Sequence, residues 1–152
     1  MPVVGVRPAA ARDEEGCRMP LIRIDLLEGW TDGELRWIGD SVHQAMVEHL
    51  NVPERDLFHV ISRHTTATLQ FNRHYLDIER SNKFVMVQVT LASGRTDEAK
   101  SAFYRRLAEL LADRIGLRTE DLAVALVENE RVDWSFGRGE ASYMVRPREE
   151  WR

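Results

Sequence analysis

The chain has 152 residues, of which 43% are hydrophobic, and this is enough for one domain with its own core. Lysine and arginine number 21 against 25 aspartates and glutamates, and the two signs are mixed along the chain. This balance argues against nucleic acid and membrane surfaces as partners. The single cysteine, Cys17, cannot form an internal disulfide, and no apolar run approaches the ~20 residues of a membrane-spanning helix. We therefore expect a cytoplasmic protein.

Residues 1–19 mix proline, alanine, arginine and acidic residues without a helical or strand period. We interpret them as a flexible extension or a start site assigned too early, and residues 20–152 as one domain. The first strand is predicted to open at Pro20, directly behind Met19. Proline lacks an amide hydrogen, so the first position of a strand suits it for structural reasons alone. If the mature chain began at Pro20, however, its nitrogen would be a secondary amine able to take and return protons.

Two helices are predicted, each entered from a strand through a short turn. Thr31 and Glu34 form a capping-box pattern at the start of the first helix, and Thr96 takes the N-cap position of the second. Apolar residues recur at helical spacing along one face of each helix, at Leu35, Ile38, Val42, Ala45, Met46 and Leu50 and at Ala99, Phe103, Leu107, Leu110, Leu111 and Ile115. The β-prone segments 57–62, 84–91 and 121–127 predict three further strands, and the polar segment 63–82 predicts a hairpin or a long loop.

The two halves of the domain superimpose without a gap when the chain is shifted by 65 residues. A strand, a turn, a capped helix and a second strand are used twice, over about 20–62 and 85–127. Strands joined through a helix run parallel, so each half is a βαβ unit. We predict an α+β fold in which a four-stranded sheet carries both helices on one face. The matched positions include Gly29 and Gly94, Thr31 and Thr96, and Asp56 and Asp121.

The other face of this sheet also carries apolar residues, so a monomer would leave apolar area in water. We therefore predict a homo-oligomer that buries it. In the tail, segments 132–137 and 141–145 combine aromatic and β-prone residues with glycine. They predict a C-terminal hairpin that reaches a neighbouring subunit.

Several motifs together resemble the tautomerase superfamily, in particular its branch that resembles malonate semialdehyde decarboxylase and 4-oxalocrotonate tautomerase. They are the Met-Pro strand opening at 19–20, the Gly-x-Thr turns at 29–31 and 94–96, Val-Pro-Glu-Arg-Asp at 52–56, Val-Glu-Asn at 127–129 and Asp-Trp-Ser-Phe-Gly at 133–137. The resemblance covers residues 19 to about 143. It implies a homotrimer, chemistry without a cofactor or metal, a small carboxylate-bearing substrate and an amino-terminal proline as the catalytic group.

The resemblance also assigns roles to five residues of this sequence. Pro20 would be the catalytic base, and Asp56 would support it and the water around it. Arg95 would be both catalytic and substrate-binding, because it would hold the substrate carboxylate and polarise the developing enolate. Trp134 and Phe136 would line an apolar wall of the pocket. Ordinary structural roles are the alternative for each: a solvated turn for Arg95, a turn acid for Asp56 and core packing for the aromatic pair.

Two positions depart from the family pattern. The decarboxylase branch carries a second arginine where this chain has Ala92 or Ser93, which weakens the case for malonate semialdehyde itself as substrate. Simpler tautomerases carry an arginine where this chain has Trp30. In the overlay of the two halves, Pro20 lies on Val85 and Trp30 on Arg95. The halves therefore differ at the strand start and at the turn before the helix, which are the two candidate site positions.

The preferred function is a tautomerase of a small 2-oxo or 2-hydroxy acid with Pro20 as general base. A decarboxylase or hydratase of a 3-oxo acid is the alternative within enzymes, supported by Asp56 and weakened by the missing arginine. The alternative outside enzymes is a trimer that binds a ligand without catalysis. The five histidines show no metal-ligand spacing.

Overall fold

The structure is a computed structural model, and it describes residues 20–146. The predicted extension over residues 1–19 lies outside the described residues. Four strands and two long helices follow in the predicted order, and a one-turn helix is added in the tail. Their bounds are β1 Leu21–Leu27, α1 Asp32–His49, β2 His59–His64, β3 Val85–Ala92, α2 Asp97–Ile115, β4 Leu122–Asn129 and α3 Ser142–Val145. Within residues 20–146, no helix is long and apolar enough to cross a membrane.

The four strands form one mixed sheet in the order β2-β1-β3-β4. β1 runs parallel to β2, and β3 runs parallel to β4, as predicted for two βαβ units. The two units meet through β1 and β3, which are antiparallel, with Arg23 opposite Gln88 at the centre. This register relates the two repeats by an approximate twofold axis through the sheet. The start of β1 and the start of β3 therefore lie at opposite ends of the sheet.

The backbone confirms the repeat at its turns. Thr31 and Thr96 cap their helices with nearly identical dihedrals, φ −74° and ψ 158° or 159°, and each side chain accepts a hydrogen bond from the third helical amide. Gly29 and Gly94, two residues earlier, have φ of +117° and +127°. A side chain there would be strained, so the same left-handed turn requires glycine in both halves.

The core lies between the sheet and the two helices. Alternate side chains of the central strands point into it, including Ile22, Ile24 and Leu26 of β1 and Val85, Val87 and Val89 of β3. The predicted apolar faces of both helices meet them, and both helices thus cover the same face. Arg114 of α2 donates a hydrogen bond to the Ser41 hydroxyl of α1 at 3.1 Å, which joins the helices at the edge of this core.

The opposite face of the sheet, which we call the open face, exposes apolar side chains as predicted. Five of them are between about two fifths and one half exposed, and they come from all four strands and the residue before β2: Leu21, Phe58, Val60, Met86 and Val127. Such a concentration of apolar area on one exposed face is typical of a surface that another protein covers.

Two sequence-based predictions are corrected. The second strand begins two residues later than predicted, because Leu57 and Phe58 precede the ladder. The predicted C-terminal hairpin is wrong: residues 130–146 contain no strand, and the helix α3 occupies its second arm. Gly137 and Gly139 both have positive φ and turn the chain back, so the aromatic residues pack against Ala92 instead of pairing in a ladder. The segment between β2 and β3 is a long loop with a single 3₁₀ turn at Tyr75–Asp77.

Asp121 locks this long loop to the start of β4. Its side chain is only 1% exposed and accepts hydrogen bonds from the Ser81 amide and hydroxyl, each at 2.7 Å. Asp121→Ala should lower the free energy of unfolding by about 3 kcal/mol, because it leaves the Ser81 donors without their acceptor. Urea unfolding measures this loss. Arg118→Gln, which removes the half-exposed cation 3.3 Å from the same carboxylate, is the control and should cost less than about 1 kcal/mol.

Candidate functional site

Pro20 is buried at the start of β1, between two neighbouring strands. Leu21 pairs with Thr90 and Ile22 with His59, so continuing both registers places Pro20 beside Leu91 on one side and Leu57 on the other. The Ile22 amide donates to the Phe58 carbonyl at 2.9 Å, which holds the two strands together at this point. The start of β2 and the end of β3 therefore flank Pro20, and the end of β4 lies beyond β3.

Arg95 lies at the same end of the sheet. Its Nε donates to the Leu50 carbonyl at 2.8 Å, and its Nη1 donates to the Ala92 carbonyl at 2.7 Å. Ala92 follows directly after Leu91, the residue beside Pro20. Leu50 is the C-cap of α1, so the guanidinium joins the end of a helix to the end of a strand. A guanidinium is planar, so these two bonds fix the orientation of its plane.

Asp56 is 6% exposed and directly precedes Leu57, which lies beside Pro20. Its repeat counterpart is Asp121, also buried, whose carboxylate holds the Ser81 amide four residues ahead of β3. In the repeat, Asp56 and Asp121 occupy equivalent positions, each directly before a segment that enters a strand.

The tail places Trp134 and Phe136 at this end, on the open face. Trp134 is buried against Ala92, and its indole Nε1 donates to the Asn129 side chain at 2.8 Å. The ring of Phe136 stacks on that of Trp134 with centroids 5.3 Å apart, and it remains 38% exposed. The Ser142 hydroxyl accepts from the Phe136 amide at 2.9 Å, which fixes the turn that brings the two rings together.

Two further aromatic residues belong to this cluster, and the sequence did not single them out. The Phe58 ring lies 5.8 Å from that of Phe136, and the Tyr143 ring meets Phe136 edge-on at 5.5 Å. Phe58 could have been found, because it stands two residues after Asp56 in the segment that enters β2. Nothing in the sequence distinguishes Tyr143 from any other aromatic residue of the tail.

The structure brings all five predicted site residues to one end of the sheet. Pro20 lies there at the start of β1, and Asp56 lies just before β2. Arg95 lies on the side of the sheet that the helices cover. Trp134 and Phe136 lie on the open face. This arrangement places a cation and two aromatic rings at the end of the sheet where Pro20 lies. Within residues 20–146, no group of three or more histidine, cysteine or acidic side chains is placed to hold a metal ion.

His59 is the titratable group near this end whose pKa departs furthest from its ordinary value. Burial between β2 and α1, together with the nearby His43, lowers the pKa of His59 from 6.5 to about 4. Its Nε2 is buried and has no hydrogen-bond partner among residues 20–146. The ring is therefore neutral at pH 7 and belongs to the packing of the sheet against α1.

The low pKa of His59 predicts a loss of stability in acid. The unfolded chain takes up a proton below about pH 6.5 that the folded chain resists until about pH 4, so stability should fall across this window. We expect a contribution of about 2 kcal/mol, which allows for partial solvent access to the ring. Urea unfolding between pH 7 and pH 4 measures it. His59→Leu should reduce the change in the free energy of unfolding between pH 6.5 and pH 4. His74→Gln on the exposed loop is the control and should leave that change as it is in the wild type.

Comparisons with known proteins identify the family of the chain. A family model described as "Tautomerase enzyme" matches residues 40–137. The probable tautomerases YusQ and YrdN of Bacillus subtilis (strain 168) are 37% and 38% identical to the chain, over 81% and 84% of its length and 97% and 98% of theirs. A solved structure from the work on wild-type, mutant and inactivated malonate semialdehyde decarboxylase is 35% identical. It covers 82% of this chain and 96% of that one, with a TM-score of 0.75.

A more distant solved structure, a symmetric trimer of wild-type fused 4-OT, shares the fold. It is 20% identical, has a TM-score of 0.66 and covers 83% of this chain and 99% of that one. The duplicated βαβ sheet, the family model and these relatives together define a protein of the tautomerase superfamily. The chain belongs to its tautomerase enzyme family, and probable tautomerases and malonate semialdehyde decarboxylase are among its relatives.

Proposed function

We propose that the chain is a cofactor-free tautomerase of a small 2-oxo or 2-hydroxy acid, with the nitrogen of Pro20 as general base in a mature chain that begins there. The observation that carries the proposal is the difference between the two ends of a repeated scaffold. One end pairs a strand-opening proline with an arginine, and the other has Val85 and Trp30 at the same positions. Among the structures of malonate semialdehyde decarboxylase, a mutant replaces the first-position proline of that enzyme with alanine.

The base must be a free amine. Inside a peptide bond the proline nitrogen shares its lone pair with the carbonyl and has no useful basicity. An amino-terminal amine has a pKa near 8 in water, and burial beside a cation lowers it, because both disfavour the charged form. A neutral secondary amine at pH 7 can remove a proton from the enol hydroxyl or the carbon next to a carbonyl, and return it at the other position.

Arg95 would hold the substrate carboxylate and stabilise the negative charge that develops on the enolate. Its bonds to the carbonyls of Leu50 and Ala92 support this role, because they fix the guanidinium before the substrate arrives. The stacked rings of Trp134 and Phe136 would keep water from the reacting atoms, which strengthens every charge interaction there. Asp56 would orient the amine or a water next to it.

The second candidate reaction is decarboxylation or hydration of a 3-oxo acid. It is favoured by the 35% identity to malonate semialdehyde decarboxylase, whose solved structures are described as a basis for decarboxylase and hydratase activities. A protonated Pro20 amine, favoured by the Asp56 carboxylate, could polarise the carbonyl of such a substrate. Ala92 and Ser93 count against it, because neither supplies the second cation of that branch.

A homotrimer would complete the proposed enzyme. The exposed apolar side chains of the open face support an assembly of copies that buries them, and the trimer is the assembly of the fused 4-OT structure that shares this fold. The exposed ring of Phe136 lies at the edge of this face, so an adjoining copy would narrow the pocket.

Product analysis separates the three functions. A chain that begins at Pro20 is incubated with phenylenolpyruvate, 2-hydroxymuconate and malonate semialdehyde, and the products are followed by absorbance and by NMR. The proposal predicts ketonisation of the two enols and slow or absent release of carbon dioxide from the third substrate. Carbon dioxide as the main product would favour the decarboxylase, and no turnover of any substrate would favour the ligand-binding trimer.

A further inference from the structure

The carboxylate of Glu130 lies at the same end of the sheet as Pro20 and Arg95. The Ser93 hydroxyl donates to Oε1 of Glu130 at 3.0 Å. Ser93 directly follows Ala92, the residue whose carbonyl accepts from the Arg95 guanidinium. The Glu130 carboxylate is therefore tied to the chain just before the arginine that would bind the substrate.

The backbone of Glu130 is held as well as its side chain. Its amide donates to Oδ2 of Asp133 at 2.8 Å, and its carbonyl accepts from the Asp133 amide at 3.0 Å. These bonds close the 3₁₀ turn Arg131–Asp133, which leads directly to Trp134. Glu130 is thus fixed between the segment that carries Arg95 and the aromatic wall of the site.

No ion pair among residues 20–146 neutralises the charge of Glu130. Glu128, the preceding acidic residue of this strand end, by contrast pairs with Lys100 of α2. The 3₁₀ turn that follows Glu130 carries one charge of each sign. Glu130 is exposed and therefore adds a net negative charge to this segment of the site.

We propose that Glu130 is a specificity-determining residue, which favours substrates with a single carboxylate over substrates with a second one. Arg95 would hold the carboxylate next to the reacting carbon, and a second carboxylate that reaches toward Ser93 would meet the like charge of Glu130. The aromatic wall favours the same choice, because a charged group loses water beside apolar rings without gaining a partner. The inference rests on the function proposed above and adds the class of substrate that the site admits.

A matched pair of substrates isolates the second charge. 2-Hydroxymuconate carries two carboxylates, and the methyl ester of the carboxylate far from its enol has the same skeleton with only one. The proposed mature chain, which begins at Pro20, is assayed with both at low salt, and kcat/KM is measured by absorbance. We expect this chain to prefer the monoester by about tenfold or more. Glu130→Gln, which keeps an acceptor for the Ser93 hydroxyl, should lower this preference about five- to tenfold.

An effect of charge should also respond to salt, which a purely structural role of Glu130 would not. In about 1 M sodium chloride the Debye length is only about 3 Å, so the preference of the unsubstituted chain should approach that of Glu130→Gln. Glu120→Gln removes the same charge from an exposed position at the opposite end of the sheet, and it should leave the preference unchanged.

The outcomes distinguish this inference from the proposed function. If the unsubstituted chain prefers the dicarboxylate, or if Glu130→Gln leaves the preference unchanged, Glu130 does not determine specificity and the tautomerase proposal stands. The same conclusion follows if phenylenolpyruvate is converted and the monoester is not. If none of these enols is converted, both proposals fail together.

Discussion

A chain that begins at Pro20 is expected to convert phenylenolpyruvate to its keto form about 10³-fold faster than the full 152-residue chain. General base catalysis by one positioned group contributes typically 10² to 10⁴ in rate, and this contribution requires an amine in place of an amide. The measurement is kcat/KM by absorbance for both proteins at pH 7. Circular dichroism of both proteins checks that the shorter chain is folded.

A matched control separates the amine from the rest of the leader. A chain that begins at Arg18 keeps almost the same length, but its Pro20 nitrogen lies inside a peptide bond. It should be as inactive as the full chain. Equal activity of the chains that begin at Arg18 and at Pro20 would show that Pro20 only opens the strand. In the trimmed chain, Pro20→Ala should also lose most of its activity, because it removes the ring that orients the nitrogen.

The second large effect is expected at Arg95. Arg95→Met should lower kcat/KM for the carboxylate substrate by about 10² to 10³, the range seen when one preorganised donor to a developing charge is removed. The substitution also removes hydrogen bonds to the carbonyls of Leu50 and Ala92, and we expect a stability loss of about 1 to 2 kcal/mol from them. Urea unfolding determines that part separately.

Substrate choice distinguishes binding of a carboxylate from a purely structural role of Arg95. The wild type should prefer phenylenolpyruvate strongly over its methyl ester, and Arg95→Met should reduce this preference to near unity. A structural role would slow the acid and the ester alike and keep the preference. Arg105→Met, which removes the same charge from an exposed position on α2, is the control and should change neither rate by more than about twofold.

The fold could be predicted from the sequence because local signals agree with each other twice. The capping residues Thr31 and Thr96, the paired turns at Gly29 and Gly94 and the apolar helix faces each specify local structure on their own. Their recurrence after 65 residues links them into one repeated unit. The start of β2 was placed two residues early for a physical reason: Leu57 and Phe58 are apolar because they lie at the site end, before the ladder begins.

The tail could not be predicted in the same way. Its aromatic residues have high β propensity, but they contact Ala92 and one another, and that packing is set by tertiary structure. The family resemblance pointed to Trp134 and Phe136, and no feature of the sequence pointed to Tyr143. Pro20 and Arg95 were predicted because the repeat provides an internal reference, in which their counterparts Val85 and Trp30 differ in chemistry, whereas Asp56 was predicted from the family resemblance alone.

The central claim is that the working chain carries a free secondary amine on Pro20. Its most direct test is the intact mass of the protein purified from its natural host, combined with sequencing of its amino-terminal peptide. We predict a chain whose first residue is Pro20. A fully active protein whose first residue is Met1 or Pro2 would contradict it.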